Sequence, residues 1–150
     1  MSDTHVNPSP EAITGLMQRA ADGDDRPVVM LNLNRYRPVA AYPEDHPDAG
    51  SGLSGREAYL RYGVVAKAAI DATGGRILWV TDAGETVIGC DHDAIDEVVA
   101  VWYPSRAAFL RLGEYPGYFE ATVHRDAAVE QAVLIACDGE QEPALRSPFG

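Results

Sequence analysis

Apolar positions recur along the chain at two periods, and the change from one to the other marks out the elements. Residues 10–21 put Ile13, Leu16, Met17 and Ala20 on one helical face, with Ser9 as N-cap, Pro10 at the first helical position and a stop near Gly23. Residues 27–36 read as a strand, followed by a long acidic loop rich in proline and glycine over 37–53. Loops of that length are often functional. Ser54 and Glu57 have the spacing of a reciprocal cap, in which each side chain satisfies the other's backbone amide. The helix they open carries Tyr59, Tyr62, Ala66, Ala69, Ile70 and Thr73 at three- and four-residue spacing and ends at Gly74 and Gly75.

Residues 76–80 and 85–88 read as a strand pair, or as one strand broken at Asp82, Ala83 and Gly84. A connecting loop leads from Cys90 to Ile95, and the next strand covers 97–103. Ser105 caps a helix containing Ala108, Phe109 and Leu112, which residues 113–117 interrupt. A second helical piece runs to about Ala127, and 129–137 form the last strand.

The order is β-α-β-β-α-β after one extra helix, which predicts an α+β fold of ferredoxin-like type. Four antiparallel strands are covered by two helices on one face. The strands VVMLNL, EVVAVWY and QAVLIA are apolar on both faces, whereas a sheet with one wet face alternates. A second copy of the sheet is the economical cover, so the pattern predicts a homodimer with a barrel-like interface. The expected organisation is a single domain over 1–150: an N-terminal helical extension over 1–26, a core over 27–138 and a polar tail over 139–150.

Length and composition agree with one core: 150 residues, 46% hydrophobic. The 23 acidic and 12 basic residues give a formal charge of −11, which argues against nucleic acid and anionic membranes as partners. The start of the chain has no signal-peptide pattern and no segment has the length of a membrane span, so a cytoplasmic location is expected. Cys90 and Cys137 read as reduced thiols.

Candidate chemistry is sparse. Asn32 and Asn34 share one strand face inside an apolar stretch, where they either contact a ligand or satisfy backbone groups. Tyr59 and Tyr62 are donors for the same space or core residues with hydroxyls reaching outward. Trp102 and Tyr103 lie on opposite strand faces, so at most one lines a given cavity. His124 can move protons near neutral pH and Arg125 can clamp a carboxylate. Adjacent helical residues diverge by about 100 degrees, so the two do not face one point unaided. Arg106 is a second anion contact or a solvent-facing helix residue. The run Cys90, Asp91, His92, Asp93 fits a solvated turn better than a metal site, because no second cluster completes a tetrahedron. Phosphate-cradling glycine loops and a haem-specifying pattern are absent, so no cofactor is expected.

Several stretches also resemble one family: the strand at 28–36 ending in Asn and an aromatic, YLRYG at 59–63, GGR at 74–76, VVAVWYPSRAAF at 98–109, YPGY at 115–118 and HRDAA at 124–128. In order and spacing they resemble the domain of unknown function 1330 family, over about Pro27 to Asp138. The resemblance implies the dimeric alpha-beta barrel superfamily, and with it the fold and dimer just described. That superfamily hosts cofactor-free monooxygenases, isomerases and haem-degrading proteins, so no single reaction follows. The N-terminal helix, the acidic loop and the tail are departures from a minimal member.

The resulting expectation is a homodimer that binds a small carboxylate or carbonyl compound between sheet and helices, without metal if it is an enzyme. In that reading His124 transfers a proton, Arg125 or Arg106 contacts the anion, and Asn32, Asn34, Tyr59 and Tyr62 orient the ligand. The alternative is a non-catalytic ligand sensor or protein-interaction dimer working through residues 37–53; a haem-linked oxidoreductase is a third reading.

Overall fold

The computed structural model describes residues 6–145 and 149. The first five residues, and 146–148 and 150 of the polar tail, lie outside the described residues. In chain order the elements are α1 Pro10–Ala21, β1 Val28–Tyr36, α2 Gly55–Ala72, β2 Arg76–Asp82, β3 Glu97–Tyr103, α3 Arg106–Leu110, α4 Tyr118–Ala128 and β4 Val129–Asp138.

Three serines start three of the helices. Ser9 Oγ accepts the Ala12 N–H at 3.1 Å and Ser105 Oγ accepts the Ala108 N–H at 3.0 Å. At α2 both halves of the reciprocal cap form: Ser54 Oγ accepts the Glu57 N–H at 3.1 Å, and Glu57 Oε2 accepts the Ser54 N–H at 2.8 Å. The strands form one antiparallel sheet in the order β2-β3-β1-β4, which is the ferredoxin-like arrangement expected from the element order.

The segment 85–88 corrects the sequence reading, since it forms no strand and Val87 and Ile88 lie almost wholly in solvent. Its would-be partner β2 is the edge strand of the order β2-β3-β1-β4, and among the described residues the outer edge of β2 stays unpaired because the chain after Asp82 does not fold back along it. The helix after Ser105 is also shorter than expected, ending at Leu110, with a 3₁₀ turn over Leu112–Glu114 that buries Leu112.

One sheet face carries the helices. Val28, Met30, Val99, Val101 and Tyr103 pack there against Ala69, Ile70, Ala108 and Leu112. Burying each large apolar side chain contributes roughly 1.5–3 kcal/mol, so cohesion resides in this layer. By contrast α1 buries none of its residues; Leu16 packs against the same core, and Val6, just upstream, is buried among Tyr36, Ala58, Ala128 and Val129. The opposite sheet face groups Val29, Ala100 and Trp102 with Leu31, Leu78 and Cys137, and Trp102 and Tyr103 do lie on opposite faces. Val133 and Ile135, on that same uncovered face, are exposed.

Candidate functional site

A cavity of about 640 Å³ lies between α1 and the β1–β4 half of the sheet, on the helix side. That is within the roughly 300–1,000 Å³ of small-molecule sites. Ile13 and Leu16 of α1 form one wall, and Met30, Leu134 and Phe109 form the other. Arg125 of α4 reaches its rim and is the one charged side chain lining it among the described residues. That side chain is 19% exposed, and its guanidinium makes no hydrogen bond among the described residues. Its nearest ion partner, the half-exposed Asp126 carboxylate, stands 4.0 Å away. Burial raises the Asp126 carboxyl above its ordinary range, and Arg125 partly opposes that rise.

Behind Arg125 lies a run of phenols. Tyr36 and Tyr59 rings are 5.1 Å apart, Tyr59 and Tyr62 are 5.4 Å apart, and the Tyr62 and Tyr118 hydroxyls meet at 3.0 Å. Burial pushes the Tyr59 and Tyr62 phenols up, while the Arg125 charge pulls against that shift at both. The outer end of the run is pinned: Tyr36 donates to Glu97 Oε1 at 2.6 Å, and Arg56 donates to Glu97 Oε2 at 2.9 Å. Asn34 sits on the same strand face as Tyr36 and is 1% exposed, and its Nδ2 has no hydrogen-bond partner. The amide is close enough to favour ionisation of Tyr36 and Tyr59, yet meets hydrogen-bond geometry with neither.

The structure therefore packs Asn34, Tyr59 and Tyr62 near Arg125, but of the four only Arg125 lines the cavity, and the other candidates lie apart from them. Asn32 shares their sheet face, but its Nδ2 donates to the Met30 and Val99 carbonyls, each at 3.3 Å, so the amide is spent on backbone. His124 and Arg125 diverge as helical geometry requires. His124 lies against the 37–53 loop, with Nδ1 2.8 Å from the Tyr42 hydroxyl and its ring edge-on to Tyr42 and His46. It contacts the loop and does not line the cavity.

Arg106 corrects both of its sequence readings. The side chain is fully buried, donating to the Arg26 carbonyl at 3.2 Å and to Asp138 Oδ1 at 3.3 Å. Its backbone N–H and that of Ala107 donate to Asp25 Oδ1. Arg106 thus ties the start of β1 to the end of β4 and reaches neither solvent nor the cavity.

Tyr36 and Tyr118 were not singled out in sequence as site residues. The repeated aromatics at 36, 59, 62 and 118 were the available signal, but only the fold shows that they adjoin. The turn at 90–93 brings Cys90, His92 and Asp93 within 4.8 Å of one another, all exposed. Cys90 Sγ donates to Asp93 Oδ2 at 3.1 Å, which raises the thiol above its ordinary range. Among the described residues no helix is long and apolar enough to cross a membrane.

Solved structures share this geometry. The chain is similar to the crystal structure of methylated RPA0582 protein, with a TM-score of 0.76 and 34% identity over 94% of this chain and 98% of that one. It is similar to a second crystal structure, of RPA0582, described as a protein of unknown function from Rhodopseudomonas palustris; there the TM-score is 0.75 and the identity 34%, over 92% of this chain and 98% of that one. No curated protein matches. The family model described as domain of unknown function (DUF1330) matches residues 52–138, and the solved structures extend the likeness well beyond that span. The chain belongs to the DUF1330 family.

Proposed function

We propose that the protein is a homodimer in which each protomer holds a small organic carboxylate or carbonyl compound in the cavity between sheet and helices. The observation that carries this reading is Arg125, a partly shielded guanidinium at a largely apolar cavity, with no hydrogen bond among the described residues. A half-buried charge of that kind is stabilised by an oxygen acceptor. Asn34, Tyr59 and Tyr62 form a polar layer behind it that does not itself line the cavity. Cover for the outer sheet face supports the dimer: Val133 and Ile135 continue the apolar surface of Leu31, Ala100 and Trp102, and a twofold copy presents a matching face.

With His124 engaged by the loop, binding is the better supported role and turnover is left to whatever the ligand itself supplies. A native mass spectrum of gently purified protein tests both parts. The expected result is a dimer carrying one small organic mass per protomer. A monomer would overturn the assembly, and a cavity that takes up no small carboxylate or carbonyl compound in titration would overturn the binding role.

A further inference from the structure

Resting on the ligand-binding reading above, we infer that the occupant is an amphipathic monocarboxylate, its carboxylate clamped by Arg125 and its apolar body laid between α1 and β4. The cavity offers one cation and no compensating anion except Asp126, which is 4.0 Å from the guanidinium and half exposed. A planar guanidinium with free donors matches a carboxylate through two parallel bonds. A neutral ligand leaves those donors unmatched, and unmatched charge in a shielded site is costly.

A second carboxylate has no place. Away from Arg125 the walls are Ile13, Leu16, Met30, Phe109 and Leu134, with Asn7 and Gln131 as neutral polar groups at the margin. A dianion would bring one charge against those apolar walls and would also meet the field of a chain whose formal charge is −11. The volume of about 640 Å³ exceeds what a small polar acid fills and suits an extended aliphatic or aryl-aliphatic body.

The test is calorimetric titration of the full chain with decanoate, decan-1-ol and adipate at neutral pH. Charge-assisted bonds are worth roughly 1.5–3 kcal/mol, so decanoate is expected to bind about 10- to 100-fold tighter than decan-1-ol, with adipate weaker than decanoate. Arg125→Gln is expected to remove the advantage of decanoate over decan-1-ol, and Arg125→Lys to keep part of it. Methyl shifts in NMR spectra of the unaltered protein supply a readout that needs no variant: decanoate is expected to move Met30, Ile13 and Leu134. Equal affinity for decanoate and decan-1-ol, or tighter adipate, would overturn the monocarboxylate inference while leaving the cavity a binding site. Absence of binding by all three, with no methyl shifts, would overturn the inference; a small carbonyl compound that then binds would show that the broader reading survives it.

Discussion

The Tyr42 hydroxyl lies 2.8 Å from His124 Nδ1, and this contact joins the 37–53 loop to α4 across a gap of 82 positions in the chain. Backbone bonds reinforce it, with the Ala41 N–H donating to the Ala127 carbonyl at 2.9 Å and the Ala40 N–H to the Leu53 carbonyl at 2.8 Å. Asp48 extends the join to α2 through Arg61, 2.6 Å away. The loop is therefore a packed strap and not a free acidic tether.

That join is expected to weaken in acid. Burial lowers the His124 pKa, with Arg61 and His46 adding to the effect and Asp48 opposing it. A histidine whose folded pKa is depressed favours folding when neutral, so the stabilisation is complete above the ordinary value of about 6.5 and declines as pH falls below it. Neutral His124 with its proton on Nε2 accepts from Tyr42, and the imidazolium cannot. Protection of the Ala40 and Ala41 amides from hydrogen exchange, corrected for the intrinsic pH dependence of the exchange rate, is expected to fall between pH 7.5 and pH 5 more than in His124→Gln. Equal pH responses in the two proteins would contradict this.

Asn34→Leu separates stability from binding. The wild-type amide keeps a buried donor without a partner, a situation that costs roughly 1–3 kcal/mol, while a leucine of similar size has no donor to desolvate. The variant is expected to gain about 1 kcal/mol, roughly 2–4 °C in Tm, and to bind at the cavity as the wild type does, because Asn34 does not line it. A lower Tm would show that the amide is structural, and weaker binding would place it in the site.

Gly55 stands where chain segments converge at the start of α2. A methyl group there would come within 2.3 Å of the Arg37 carbonyl oxygen and 2.6 Å of the Ala128 carbonyl oxygen, both backbone atoms that cannot swing aside. Gly55→Ala is expected to cost about 3 kcal/mol in urea unfolding, the upper end of ordinary overpacking, whereas Ser54→Ala next to it loses a cap worth about 1 kcal/mol. Reversal of that ranking would refute the close approach.

Arg106→Met keeps the apolar stem and removes the donors to Arg26 and Asp138. The expected loss is about 2 kcal/mol, because the Arg26 carbonyl forfeits its partner while Asp138, largely exposed, is resolvated. Decanoate affinity is expected to be unaffected, since Arg106 does not line the cavity. A variant with normal stability and impaired binding would restore Arg106 as an anion contact.

Local signals made most elements legible in sequence. Ser9, Ser54 and Ser105 act within three residues of themselves, and the caps at these positions form as the spacing implies. The strand at 97–103 matches to the residue. Where the structure departs from the sequence pattern, the deciding partner is distant. Nothing near Arg106 announces that Asp25, 81 positions earlier, will hold its backbone, nor that β4 will supply Asp138. Val87 and Ile88 carry strand-like composition, but composition does not say whether the chain after Asp82 folds back along the free edge of β2. His124 and Arg125 could be assigned to different directions from helical geometry alone, yet not to which neighbours. The grouping of Asn34 with Tyr59 and Tyr62 followed from strand and helix periodicity, while Tyr118 entered only through the packing of α4 on α2.

The thin attachment of α1 divides labour within the molecule. Held by Val6 at its entry and Leu16 along its length, and burying none of its own residues, it contributes little to cohesion yet supplies a whole wall of the cavity. Substitutions at Ile13 or Ala12 consequently reshape the cavity without disturbing the sheet on which folding depends.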